Sequence, residues 1–542
     1  MMRGHMMQWP LVLTHFLDRA RRLHAGRIIS SRQPGGVHRY TYADWAQRVD
    51  RLAGALAALG VVRGDRVGTL GWNSYRHFEA YFAIPCMGAV LHTVNVRLFA
   101  EQMVYVINHA ADSVLLVDAS LVPLLEKIKP QLTTVRHFVV MADAGTPIPP
   151  GYLDYEALLA EAPASTTWPA LDEEEAAAIC FTSGTTGHPK GVLYSHRALV
   201  LHTLGISLTD AFQLCQRDVI LTIVPMFHAN AWGIPFAAAM LGSGLILPGP
   251  HLLPKDLLDL IESEKCTFIA GVPTIVSALY QYTAQERRFP PAIRQLVIGG
   301  APLPRVLLEG LRRDWQTEVV HSWGMTELSP AGTVSRIRSE MDDWSEDAKT
   351  AVRLMQGAPF PLVELRVITE TGAEAPWDGA TAGELEARGP WVVSEYYEDP
   401  SGQDRFSEGW FKTGDVAAID ERGYVRLVDR SKDLVKSGGE WISSVELENA
   451  IMSHPSVAEA AVIAVAHPKW TERPLACVVA RPGAGGELTR ESVRAFLKGK
   501  VADWWLPDDV AVVDVIPKTS VGKFDKKVLR ERFKDHALPE AS

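Results

Sequence analysis

A repeated alternation of short β-type runs with helical patterns constrains the fold more than any other feature of the sequence. Thr41–Leu59 and Ala100–His109 place apolar residues at helical spacing, whereas Val90–Val94 and Ser113–Val117 have the composition of buried strands. The same alternation returns between residues 218 and 315. Strands that are joined by helices pair in parallel, so we expect two doubly wound α/β lobes up to about residue 356.

The pattern changes beyond these lobes. From about residue 357 to 430, short β-runs alternate with Gly and Pro turns, which predicts a smaller barrel-like unit. Residues 431–542 combine strands and helices. The expected fold class is α/β, with a large N-terminal domain over residues 1–430, a junction near residues 429–433, and a small α+β C-terminal domain over residues 431–542.

Charge is divided unevenly between these two parts. The net charge of −10 lies entirely in residues 1–430, because residues 431–542 contain 16 basic and 16 acidic side chains. A negative overall field repels polyanions, so nucleic-acid binding is not expected. The basic segment Lys518–Lys534 is interpreted either as a solvated helix or as a segment that meets a bound anion.

Cysteine usage and hydropathy bear on the compartment. The five cysteines form no CxxC pair, and the start of the chain has no signal-peptide core, which together predict a cytoplasmic protein. Val219–Pro250 has no charged residue, but Pro225, Pro235 and Gly242 interrupt it. We interpret this stretch as buried core, with peripheral membrane contact as the alternative.

The segment that carries most chemical information is Phe181–Gly191, FTSGTTGHPKG, called here the phosphate loop. Its glycines expose backbone N–H groups, its hydroxyls can donate to phosphate oxygens, and Lys190 adds positive charge. It is not a Walker A loop, because Pro189 stands where a second Gly is required and Gly191 follows the lysine. The alternative is a generic Gly/Ser turn.

Eight blocks in one order resemble the adenylate-forming superfamily, which includes acyl-CoA synthetases, peptide-synthetase adenylation domains and luciferase. They are the phosphate loop, PMFH at Pro225–His228, GGAPLP at Gly299–Pro304, SWGMTE at Ser322–Glu327, GEL at Gly383–Leu385, TGD at Thr413–Asp415, DRSKDLVKSGGEWISSVELE at Asp429–Glu448, and PKTSVGKFDKK at Pro517–Lys527. Longer phrases, His77–Leu98 and Lys432–Ile451, are similar to bacterial medium- or long-chain fatty-acyl-CoA synthetases.

The resemblance implies a reaction in which a carboxylate joins the α-phosphate of ATP and the acyl group then passes to CoA. It implies that Trp323 offers a ring face to adenine, that Asp415 accepts from ribose, and that Thr182 and Glu327 hold Mg²⁺. The implied ATP or AMP contacts are Thr182, Ser183, Gly184, Thr185, Thr186, Gly187, Lys190, Gly300, Ala301, Ser322, Trp323, Gly324, Met325, Thr326, Asp415, Arg430, Lys432, Lys436 and Trp441.

The implied catalytic residues are Lys523, Glu327, His228, Lys190 and Arg430. Lys523 would bridge the attacking carboxylate and the α-phosphate. Lys432 corresponds to the pivot of a mobile C-terminal lid, which would remove Lys523 after adenylation and bring Gly438 and Gly439 to the pantetheine arm of CoA.

The acid is predicted from the uncharged stretch around the PMFH block. By resemblance, His228 lies near the carboxylate and Trp232 gates the acyl tunnel, and nothing there would pair an ammonium group. We therefore expect a fatty-acid CoA ligase for medium- or long-chain acids, and the family relation implies a homodimer. The alternatives are a ligase for an aryl or short branched acid, and a fatty-acyl-AMP ligase that loads a carrier protein.

Overall fold

A computed structural model describes residues 2, 4–164, 166–182, 188–290, 293–430, 432–437, 440–481, 483, 488–518, 524–536 and 538–539, with the backbone alone at 440 and 441. The strands of the two lobes are β1 Ile28–Gln33, β2 Gly36–Thr41, β3 Arg66–Leu70, β4 Val90–Thr93, β5 Asp112–Asp118, β6 His137–Met141, β7 Leu153–Asp154, β8 Ala176–Phe181, β9 Gly191–Ser195, β10 Val219–Thr222, β11 Gly244–Leu247, β12 Phe268–Gly271, β13 Gln295–Gly299, β14 Glu318–Gly324, β15 Ala331–Val334 and β16 Ala358–Pro359.

Helices cover these strands and are, in chain order, α1 Thr14–Leu23, α2 Tyr42–Ala58, α3 Tyr75–Cys86, α4 Ala100–Ala110, α5 Val122–Ile128, α6 Tyr155–Glu161, α7 His196–Ser207, α8 Ile234–Leu241, α9 Pro254–Ser263, α10 Pro273–Glu286, α11 Arg305–Gly310 and α12 Glu346–Leu354. The next sheet comprises β17 Glu364–Ile368, β18 Gly383–Arg388, β19 Phe406–Ser407, β20 Trp410–Ile419 and β21 Val425–Arg430. The C-terminal elements are β22 Val435–Ser437, β23 Glu440–Ile442, α13 Ser444–Met452, β24 Val457–His467, β25 Thr471–Ala480, α14 Arg490–Leu497, β26 Asp509–Val512 and α15 Lys526–Arg532.

Two large, mostly parallel sheets form the lobes. One has the order β7-β6-β5-β3-β4-β8-β9 and the other the order β16-β15-β14-β13-β12-β10-β11-β1-β2, with antiparallel strands only at their edges. The N-terminal hairpin β1–β2 joins the second sheet, where Ile29 lies opposite Leu245 of β11. The expected α/β fold with a large N-terminal and a small C-terminal domain is therefore confirmed.

Local sequence accounts for the elements. Helix α2 begins where Thr41 and Asp44 cap each other's backbone N–H groups, and it buries Trp45 and Val49 on its apolar face. The uncharged stretch of residues 219–250 contains β10, α8 and β11, whose side chains are almost all buried. Within the described residues, no helix combines the length and apolarity that crossing a membrane requires.

The two smaller sheets meet where β21 ends. β17–β21 pair antiparallel in the order β17-β18-β20-β19, with β21 on β20, and the C-terminal sheet has the order β23-β22-β25-β24, with β26 on β25. Asp429 of β21 accepts a hydrogen bond from the Ser444 backbone N at 2.7 Å. The Lys526 ammonium lies 2.7 Å from Glu448 and also donates to the Ser444 hydroxyl. A buried polar network therefore joins β21, α13 and α15.

Glu448 makes stability depend on pH. Burial raises its pKa to about 7, against the opposing effect of Lys526. Because an unfolded Glu ionises near ~4.3, the stability contributed by Glu448 is complete below that pH and is lost as the pH rises through about 7. The Val462 amide donates to Glu448 at 2.7 Å and reports on this effect. Between about pH 5 and pH 8, its protection against hydrogen exchange should fall in the unchanged protein compared with the Glu448→Gln variant.

Hydrogen exchange at β24, corrected for intrinsic rates, measures this difference. Glu446→Gln is the matched control, because Glu446 lies on the same helix and pairs with Arg426 while half exposed. A difference between the unchanged protein and Glu448→Gln that stays constant over the range would show that Glu448 does not titrate there.

Candidate active site

One cavity of about 850 Å³ collects most of the predicted site residues. Its wall includes, from the predicted set, Thr182, Lys190, His228, Trp232, Gly300, Ser322, Trp323, Gly324, Met325, Thr326, Glu327, Arg430 and Lys432. These residues come from both lobes, from the β17–β21 sheet and from the segment that follows it, so the topology assembles parts that are far apart in the sequence.

The phosphate loop connects two strands that pair as a β-hairpin. β8 and β9 pair antiparallel, and the Thr182 backbone N donates to the Lys190 carbonyl oxygen at 2.9 Å while the Lys190 backbone N donates to Thr182 Oγ1 at 3.1 Å. The predicted contacts Ser183, Gly184, Thr185, Thr186 and Gly187 lie outside the described residues. A Walker A loop joins a strand to a helix, so the hairpin agrees with the sequence-based exclusion of that motif.

The side chains of Trp323 and Asp415, two of the predicted nucleotide contacts, are joined by a hydrogen bond. Trp323 Nε1 donates to Asp415 Oδ2 at 2.9 Å, and Arg430 Nε lies 3.3 Å from Asp415 Oδ1. A Cβ on Gly332 would lie 2.5 Å from the Trp323 ring, so the indole packs directly on bare backbone. Asp415 is buried behind the tryptophan and does not line the cavity. The orientation of the indole is therefore set by the hydrogen bond of its Nε1 to Asp415 and by its packing on Gly332.

Glu327 occupies the short turn after β14 and is buried. Its Oε1 accepts a hydrogen bond from the Tyr396 hydroxyl at 2.8 Å. Burial raises the pKa of Glu327, and the Tyr396 hydroxyl and the Arg430 charge oppose that rise. A bound cation would likewise favour the ionised carboxylate.

The donor set fits a magnesium ion that is shared with phosphates. Glu327 and the Thr182 hydroxyl line the same cavity, whereas no group of three or more His, Cys, Asp or Glu side chains within the described residues could hold a metal by itself. Mg²⁺ is usually bound through one or two carboxylates together with phosphate oxygens and water. These residues therefore suit a cation that arrives with a nucleotide.

Another part of the cavity wall is built on a left-handed turn. Ala229, Asn230, Ala231, Trp232 and Gly233 all have positive φ, from 42° to 76°. This conformation costs about 1–2 kcal/mol for each residue other than Gly, so the surrounding packing must hold it in place. The turn follows His228 directly and carries Trp232 on the cavity wall.

Asn73, from the first lobe, fixes the chain that enters this turn. Its amide donates to the carbonyl oxygens of Thr222 at 2.7 Å and Val224 at 2.8 Å, and its Oδ1 accepts from the Met226 backbone N at 2.7 Å. Asn73 is buried. One side chain thus satisfies three backbone groups at the end of β10 and just beyond it, a role that the sequence does not reveal.

Several predicted residues lie elsewhere. Ala301 does not line the cavity, and Lys436 lies on β22 with an exposed side chain. Gly438, Gly439 and Lys523 lie outside the described residues, and only the backbone of Trp441 is described. Of the predicted residues beyond Arg430, Lys432 is the one whose described side chain lines the cavity.

Part of the cavity wall consists of residues that are absent from the predicted set. Tyr105 of α4 and His188 stack with ring centroids 4.3 Å apart, and Tyr396 and Asp399 contact the Lys190 ammonium. His188 stands inside the phosphate loop and could have been chosen on that ground. Tyr396 and Asp399 stand between the GEL and TGD blocks, where no spacing or composition marks them.

Comparisons with known proteins agree with this geometry. Residues 17–397 match the family described as AMP-binding enzyme, and residues 446–523 match the AMP-binding enzyme C-terminal domain. The chain is 48% identical to a long-chain-fatty-acid–CoA ligase of Thermus thermophilus, with 98% of this chain and 97% of that protein covered. It is 43% identical to a 3-methylmercaptopropionyl-CoA ligase of Ruegeria lacuscaerulensis, with 98% and 99% covered.

A solved structure supports the same relation. ATP-bound MatB from Rhodopseudomonas palustris superposes with a TM-score of 0.82 at 28% identity, covering 97% of this chain and 99% of that one. The resemblance in eight blocks is thereby confirmed at the level of the family and of the overall fold. This chain is a member of the AMP-binding enzyme family.

Proposed function

We propose that the protein is an ATP-dependent fatty-acid CoA ligase for medium- or long-chain acids. In the first step the acid attacks the α-phosphate of ATP, giving acyl-AMP and pyrophosphate. In the second step the thiol of CoA attacks the acyl carbon, giving acyl-CoA and AMP. The supporting observation is that one cavity is lined by Thr182 and Lys190, by Trp323 and Arg430, and by residues of the uncharged stretch.

The nucleotide end supplies charge and shape for ATP. Lys190 and Arg430 would neutralise phosphate oxygens, which matters because a carboxylate anion must approach an anionic phosphate. The Trp323 ring would stack on adenine while Asp415 accepts hydrogen bonds from ribose. Thr182 and Glu327 would hold Mg²⁺, which supplies further neutralisation of the phosphates.

The acyl end supplies an apolar wall. Phe212, Val224, Pro225 and Val272 line the cavity around His228 and Trp232. A free ammonium group would have to be buried there without an acidic partner on these residues, which is costly. An alkyl carboxylic acid with its carboxylate near His228 and its chain beyond Trp232 fits this arrangement.

The second step requires a different surface of the C-terminal domain. We place the hinge at residues 429–433, between residues 1–430 and 431–542, with Lys432 as its pivot. Lys523 would serve adenylation, whereas Lys436, Trp441, Gly438 and Gly439 would serve the thioester step after rotation. We also propose a cytoplasmic homodimer that binds no nucleic acid and touches membranes at most peripherally.

The decisive experiment measures AMP formation with and without CoA. Purified protein is supplied with ATP, Mg²⁺ and straight-chain acids from butyrate to palmitate, together with cinnamate and 3-methylmercaptopropionate. We expect CoA-dependent AMP release and acyl-CoA, detected by mass spectrometry, with the highest kcat/KM for a medium- or long-chain acid. Accumulation of acyl-AMP without any CoA thioester would instead indicate an acyl-AMP ligase that loads a carrier protein.

A second candidate is a ligase for a short or aryl acid. The 43% identity to a 3-methylmercaptopropionyl-CoA ligase favours it, because that protein's name refers to a small acid. The same panel separates the two: a maximum at 3-methylmercaptopropionate or cinnamate, with no activity on long chains, would replace the fatty-acid proposal while leaving the AMP-forming reaction in place.

A further inference from the structure

The head of Lys190 does not project freely into the cavity but rests on the segment of residues 396–402. Its ammonium lies 3.0 Å from Asp399 Oδ2, 4.9 Å from the centroid of the Tyr396 ring and 3.5 Å from the Ser401 hydroxyl. A Cβ on Gly402 would lie 2.9 Å from the same nitrogen. The segment thus forms a binding site for the ammonium group of Lys190.

Asp399 divides its two oxygens between separate tasks. Oδ1 accepts a hydrogen bond from the Ser401 backbone N at 2.9 Å and so caps the turn of Pro400–Arg405. Oδ2 faces Lys190. Because the cap fixes the carboxylate, Oδ2 is held toward the ammonium without further loss of side-chain entropy.

The ion pair competes with phosphate for one cation. The side chains of Lys190 and Asp399 are 30% and 20% exposed, and both line the cavity that Thr182 also lines. A triphosphate that enters this cavity must either displace the Asp399 carboxylate from Lys190 or bind close to that negatively charged carboxylate. In both cases the phosphate binds more weakly than it would without Asp399.

We propose that Asp399 is a positioning residue that acts as the counter-ion of Lys190 in the empty site and exchanges with phosphate, thereby weakening the binding of both ATP and pyrophosphate. This inference rests on the proposed ATP site. Its consequence is that Lys190 returns to Asp399 when pyrophosphate leaves, so a binding contact made to ATP does not also trap the product.

Isothermal titration of the full chain with ATP and with pyrophosphate tests the proposal. Asp399→Asn keeps the Oδ1 acceptor that caps the turn and removes the charge, so both dissociation constants should fall about fivefold. In a Lys190→Gln background the same substitution should have little effect, because the partner of Asp399 is absent. The gain in affinity of Asp399→Asn for ATP and pyrophosphate should also become smaller as the salt concentration is raised.

Asp404→Asn is the matched control. Asp404 lines the same cavity, and its substitution removes the same charge, but within the described residues no ion pair joins Asp404 to Lys190. Weaker ATP binding by Asp399→Asn, an equal gain with Asp404→Asn, or a gain that persists without Lys190 would each overturn the counter-ion role. If the unchanged protein binds no ATP at all, the proposed function fails together with this inference.

Discussion

Lys523→Ala is expected to lower acyl-adenylate formation by about a thousandfold, while thioester formation from supplied acyl-AMP falls less than about tenfold. The reason is electrostatic: a carboxylate that attacks a phosphate brings two anionic groups together, and a cation that bridges them stabilises the transition state more than the separate reactants. In the thioester step the acyl-AMP is already formed, so this bridge is no longer needed.

The two half-reactions are measured separately, by ATP–pyrophosphate exchange and by acyl-CoA production from synthetic acyl-AMP. Lys527→Ala is the matched control, since Lys527 lies in the same basic segment and is exposed on α15. Equal losses in both half-reactions would argue against alternation of the C-terminal domain, and unchanged adenylation would remove Lys523 from the catalytic set.

Glu327→Gln is expected to lower adenylation by about 100- to 1,000-fold and to raise the Mg²⁺ concentration needed for half-maximal rate. The Tyr396 hydroxyl donates a hydrogen bond to Glu327 at 2.8 Å. Glutamine keeps a side-chain oxygen that can accept this bond. The substitution therefore removes charge from a buried position with little change in packing. Loss of rate would report on the interaction with the cation and the phosphates.

The measurement is ATP–pyrophosphate exchange over a Mg²⁺ series, with thermal unfolding of each variant to show that the fold is retained. Tyr396→Phe is the matched control: it removes the hydroxyl that donates to Glu327 but leaves the carboxylate, and we expect less than about a tenfold loss. A Glu327→Gln variant that reaches the unchanged rate at the same Mg²⁺ concentration would exclude a role in cation binding.

Much of the local structure was predictable, because it depends on neighbours in the chain. The capped helix α2, the helix α4 and the strand β5 occur within one or two residues of their predicted bounds. The phosphate loop could be recognised because glycine, hydroxyl and lysine residues are concentrated in eleven positions, Phe181–Gly191.

The parts that were missed depend on contacts between distant segments. Asn73 acts on the backbone of Thr222 and Val224, and Asp399 acts on Lys190. The left-handed turn from Ala229 to Gly233 contains one glycine in five residues, so composition does not reveal it. Only the packing around these residues selects their geometry.

The sequence by itself determined the family, the alternation of strands and helices, and the chemical types at the nucleotide site, because those properties reside in short ordered blocks. The tertiary structure decided which blocks meet. It placed β1 beside β11, brought Trp323 onto Asp415, and seated Lys190 against Asp399. Closing a long loop costs little more entropy than closing a short one, so separation along the sequence does not tell which segments pair. The packing of the whole molecule decides that pairing.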